Sequence, residues 1–151
     1  MNNDTDHIVL YESQWSKVQL ENGLIVMRIT PNYSASVDDA EQYIQLLESM
    51  HGQMNGPFPM MTIVNGLLRI SKEARRVLRR FEQENFMTAH AILAGRPSLA
   101  GMMKFITFLV PSEFPEEVFT NENNAREWLM VQTKANGGTW PEEEALKRLR
   151  L

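Results

Sequence analysis

The 151-residue chain contains no cysteine, which excludes disulfides, thiolate zinc sites and cysteine nucleophiles. A reducing, cytoplasmic setting is the expectation that fits. Long apolar runs are missing too. The densest, Leu99–Val110, is interrupted by Lys104 and is too short to cross a bilayer. The first residues, MNNDTDH, lack the basic and apolar regions of a secretory leader. Histidine is scarce: His7, His51 and His90 stand far apart and form no HxxH or HExxH pair, so no metal site is expected. There is no GxSxG serine signature, and Gly95-Arg96-Pro97-Ser98 lacks the Lys-Ser/Thr ending of a P-loop. Positive charge is also short overall; a net charge of −4 argues against general nucleic-acid binding. Asp38-Asp39 and Glu142-Glu143-Glu144 read as helix-start charges. Neither an enzyme nor a cofactor is expected.

What is present is a globular composition, 43% apolar, with no internal repeat and enough length for one sizeable core. Ten methionines suit irregular core gaps. Residues 1–6 are expected to fray. Ile8–Glu12 reads as an edge strand. Trp15–Glu21 and Leu24–Thr30 flank Asn22-Gly23, a pair that favours a two-residue hairpin because both positions need positive φ. Ser36, with Asp39 three residues on, opens a helix with Val37, Ala40, Ile44 and Leu47 on one face, ending near His51-Gly52.

Gly56-Pro57-Phe58-Pro59 leads into a central strand, Met60–Val64, and Leu67–Ile70 connects it to a helix opened by Ser71. On that helix Ala74, Val77, Leu78 and Phe81 follow core spacing. Met87–Ala94 is the next strand. A helix over Leu99–Val110, capped by Ser98, follows, with Gly101 as a close-approach point. Val118-Phe119 is a short strand, and Thr120 or Asn121 caps a helix over Glu122–Lys134 that turns Ala125, Trp128 and Leu129 inward. In the tail, Thr139 and Glu142 bracket Pro141 as a helix start, with Trp140, Leu146 and Leu149 placed to dock.

This order resembles the SpoIIAA-like fold of STAS domains, and in particular a group of small bacterial proteins described as STAS/SEC14-like and of unknown function. The resemblance rests on Leu20-Glu21-Asn22-Gly23-Leu24-Ile25-Val26, the Ser36–Ala40 helix start, Pro57-Phe58-Pro59, Ile70-Ser71-Lys72-Glu73-Ala74-Arg75, Phe114-Pro115, and Phe119-Thr120 with Ala125 and Trp128-Leu129. It covers about residues 17–132. It implies an α/β fold: a mixed sheet opened by an N-terminal hairpin, then alternating helices and strands, with the helices mainly on one face. The domain is expected over 1–135 and an amphipathic tail helix over 136–151. A non-enzymatic regulatory or protein-interaction role is implied, with a small-molecule or lipid binder as the alternative and an enzyme with a non-obvious site as a third reading.

STAS anti-sigma-factor antagonists are switched by phosphorylation of a serine at the start of the helix after the central strand. Ser71 holds the comparable place, although Ile70 replaces the usual aspartate and Asn65 the usual acidic strand end. Its first use is as a helix cap. The outer face of that helix carries Lys72, Arg75, Arg76, Arg79 and Arg80, with Arg69 just upstream, and is expected to receive an acidic partner protein or an anion. Leu99–Val110 is apolar nearly all round, so Met102, Met103, Phe105 and Phe108 are expected to contact a second subunit, as in a homodimer, or a ligand. His90, within a strand, is expected to be a hydrogen-bonded structural residue.

Overall fold

The fold grows outward from the Asn22-Gly23 turn. In a computed structural model, which describes residues 7–80 and 84–151, these two residues have φ of 49° and 75°. They join strand β2 (Ser16–Glu21) to β3 (Leu24–Ile29) with Leu24 opposite Glu21. Strand β1 (Ile8–Glu12) adds antiparallel to β2. On the other side β3 pairs in parallel with β5 (Phe58–Val64), β5 with β7 (Met87–Ala94), and β7 with β8 (Glu116–Phe119). The mixed six-stranded sheet therefore has the order β1-β2-β3-β5-β7-β8.

Side-chain alternation divides the core in two. Met27, Met60, Val64 and Ile92 join the larger cluster with Leu46, Leu47 and Met50 of α1 (Val37–Gln53) and Met103 of α3 (Pro97–Leu109). Val26, Met61, Ile63 and Ala91 face α4 (Glu122–Ala135) through Ala125 and Leu129. Helix α2 (Lys72–Arg80) packs on α1, not on the sheet, through Ala74 and Val77 against Ala40 and Ile44. The architecture is the expected α/β one, with α4 alone covering the second face among the long helices. Six of the ten methionines are buried in these layers.

Pro59 sits inside the central strand, where its missing N–H would interrupt the ladder. The register slips by one residue there: Phe58 stands opposite Met87, but Pro59 stands opposite Ala89. Thr88 is the extra residue, and its hydroxyl bonds to Thr133 on α4 at 3.1 Å. The slip sets the register by which His90 and Ile92 face α1 while Ala89 and Ala91 face α4.

The Leu67–Ile70 connector contains an unexpected strand. β6 (Leu68–Ile70) pairs in parallel with β4 (Tyr33–Ala35) in a separate two-stranded sheet. Gly66 makes this possible: a Cβ there would lie 2.9 Å from Pro31 Cβ and 3.0 Å from the Asn32 nitrogen. Other local expectations need correction. Helix α3 starts at Pro97 with Arg96 as an N-cap that makes no side-chain bond, so Ser98 lies within the first turn. Proline at that position gives a fixed φ and a missing N–H that costs nothing. Gly101 faces open space and is no close-approach point. The tail helix α5 is Glu143–Lys147, with Glu142 as N-cap, so Thr139 does not cap it. Trp140 lies apart from Leu146 and Leu149, in the α4-side cluster. The expectations for residues 1–6 and for Phe81 fall outside the described residues.

Candidate functional site

The layers between the sheet and α1 do not close completely. A cavity of about 180 Å³ lies between Met27, Ile29, Thr62, His90 and Ile92 on the sheet and Tyr43, Ile44 and Leu47 on α1. Leu78 of α2, Met103 and Ile106 of α3, and Val110 just after α3 complete its walls. The lining is mostly apolar, so water gains little there. Dry apolar cavities of about this size accept a benzene-sized molecule.

One polar chain crosses the floor. His90 Nε2 lies 2.7 Å from Thr62 Oγ1, and His90 Nδ1 lies 2.7 Å from Glu116 Oε2. All three come from neighbouring strands: His90 on β7 is level with Glu116 on β8 and with Met60 on β5, two residues before Thr62. A carboxylate only accepts, so Nδ1–H donates to Glu116. In the neutral ring Nε2 then accepts the Thr62 hydroxyl. His90 is 5% exposed and Thr62 7%, so both depend on these bonds. His90 is thus a hydrogen-bonded residue, and it also faces the cavity.

Two further polar groups border the space. The Trp15 indole packs edge-on to Tyr43 at 5.8 Å, and its buried Nε1 has no hydrogen-bond partner among the described residues. Burial, reinforced by the Glu116 carboxylate, pushes the Tyr43 hydroxyl above its ordinary range. A second, shallower groove shares Thr107, Ser112, Phe114 and Glu116 with the cavity wall and adds Lys104 and Phe108.

The sequence-predicted residues fall around this site, not within one cluster. Met103 is buried and lines the cavity, while Met102 is partly buried beside Ala94 and Leu99. Phe105 and Phe108 stand exposed on the opposite stripe of α3. Ser71 caps α2, its Oγ accepting from the Ala74 N–H at 3.0 Å. Arg69, Lys72, Arg76, Arg79 and Arg80 are exposed, and Arg75 is half-buried. Among the described residues none of the six forms an ion pair; Arg79 Nε instead donates to the Leu109 carbonyl at 2.9 Å. Sequence reading missed Thr62 and Glu116. They lie 28 and 26 residues from His90, and only strand order brings them together. Among the described residues no group of three or more His, Cys, Asp or Glu side chains could hold a metal ion.

Residues 18–132 match a family described as a domain of unknown function, DUF7793. The chain belongs to the DUF7793 family. No curated protein matches this DUF7793 chain. Among solved structures it is similar to an uncharacterised DUF3478-family protein from Shewanella loihica PV-4, described as having a SpoIIAA-like fold. That likeness has 15% identity and a TM-score of 0.48, and covers 85% of the DUF7793 chain and 98% of the other. Among the described residues of the DUF7793 chain no helix is long and apolar enough to cross a membrane.

Proposed function

We propose that this protein is a non-enzymatic regulatory module that binds a small, mostly apolar ligand in the cavity between the sheet and α1. The cavity itself carries this reading: an apolar space with one polar strip suits a ligand that is oriented at one end and buried over the rest. Glu116 on that strip disfavours an anionic end such as a fatty-acid carboxylate, so a neutral hydrogen-bonding or cationic end fits best. Leu78 of α2 and Met103 and Ile106 of α3 touch the same space, so occupancy would bear on the placement of both helices. That coupling is the regulatory part of the proposal.

The Thr62–His90–Glu116 chain has the order of a nucleophile, base and carboxylate. Its setting supports a structural use. Strand β5 is paired on both sides, so the backbone N–H groups near Thr62 are engaged in ladders and none converges as an oxyanion hole. Binding is tested by isothermal titration calorimetry with aniline, a benzene-sized neutral amine. Binding heat should appear with the wild-type protein and be lost with Ile29→Phe, which fills the cavity. Equal heat with both proteins, or none with either, would remove the proposal.

A further inference from the structure

We propose that the outer faces of α2 and α3 form a single surface that docks the protein on an anionic lipid bilayer. Charge is the first observation. Between Arg69 and Arg80 the chain places six of its fifteen basic residues and one of its nineteen acidic ones. The rest of the molecule carries nine basic and eighteen acidic residues, so a negative surface attracts this face and repels the remainder.

Exposed aromatics beside that charge are the second observation. Gly101, Lys104, Phe105 and Phe108 share the outward stripe of α3, and Phe105 is 61% and Phe108 80% exposed. The bond from Arg79 Nε to the Leu109 carbonyl fastens the last turn of α2 to the end of the helix that bears them. Cations beside projecting aromatic rings are the arrangement of interfacial membrane attachment, in which rings enter the acyl boundary and cations meet the headgroups. A two-fold contact with a second copy fits less well, because it would bring the same arginines face to face. The groove that holds Lys104 and Phe108 also shares its wall with the cavity, so docking would set that wall toward the bilayer.

The experiment is co-sedimentation with vesicles of phosphatidylcholine alone and of phosphatidylcholine mixed with phosphatidylglycerol, at low and high salt. Three proteins are compared: wild type, Arg76→Glu with Arg80→Glu, and Phe105→Ser with Phe108→Ser. All four positions are exposed, and circular dichroism melts confirm that the variants fold. Wild type should bind the anionic vesicles only, and more weakly in high salt. The charge reversals should weaken binding by about thirtyfold or more. The serine variant should also lose binding, although its charge is unchanged. Equal binding to both vesicles, or none, would overturn the proposal. So would a wild-type dimer in light scattering that the serine variant splits, since a second copy would then cover the face.

Discussion

Thr62, His90 and Glu116 hold one another across three strands, so each substitution strands a different partner. Thr62→Val keeps the side-chain shape but leaves His90 Nε2 without its hydroxyl. We expect a loss of about 1 kcal/mol in urea unfolding. His90→Leu also leaves the Glu116 carboxylate with a lost partner, and about 2–3 kcal/mol is expected. If the two losses were equal, the Glu116 bond would have no role in stability. Tyr43 gives a pH test. Its hydroxyl is held above the ordinary value of about 10, so the folded state keeps a proton that the unfolded chain releases. The resulting stabilisation is complete below pH of about 10 and falls as pH rises above it. Tyr43→Phe should flatten that alkaline decline. An unchanged decline would place its origin elsewhere. His90 was visible in the sequence as a strand histidine, but its partners were not, since nothing local links it to Thr62 or Glu116.

Among the elements, those with a strong local chemical signal were legible and those made by tertiary contact were not. The Asn22-Gly23 hairpin and the Ser36 cap follow from backbone chemistry within a few residues. The Ser36 and Asp39 side chains each bond to the other's backbone N–H, at 3.3 and 2.9 Å. Ser36→Ala should therefore cost about 1 kcal/mol in a denaturant titration, and no loss would mean the box contributes nothing in solution. By contrast, β4 and β6 are three residues each and show no usable alternation. Their pairing depends on Gly66 approaching Pro31. Gly66→Ala should destabilise by about 1–3 kcal/mol, because the backbone of Asn32 has to move. Wild-type stability in that variant would show that the connector yields freely. Serine was misread as the cap of α3 because Pro97 already sets the start one residue earlier.

At the scale of the whole molecule, the tail reaches both faces of the sheet. Trp140 Nε1 donates to the Gly23 carbonyl at 3.0 Å on the α4 side, while Leu146 and Leu149 enter the larger cluster on the α1 side. The Gln53 amide exchanges two 2.8 Å bonds with the Arg150 backbone. The order of the longer strands and helices was legible because periodicity and turn residues report it directly, while the division of the helices mainly onto one face was only what the family resemblance implied. The cavity was not, because it is a space left between side chains that are separately unremarkable. The apolar surround of α3 hinted at it, yet the buried stripe that lines the cavity and the exposed stripe that bears Phe105 and Phe108 look alike in sequence. The central claim is that this space takes a small apolar molecule. Methyl-resolved NMR during titration with indole tests it directly, since indole is apolar with one neutral N–H donor. Resonances of Met27, Ile29, Ile92 and Met103 should shift, while Met61 and Ile63 on the α4 side stay in place. Shifts confined to neither face, or no shifts at all, would contradict the account.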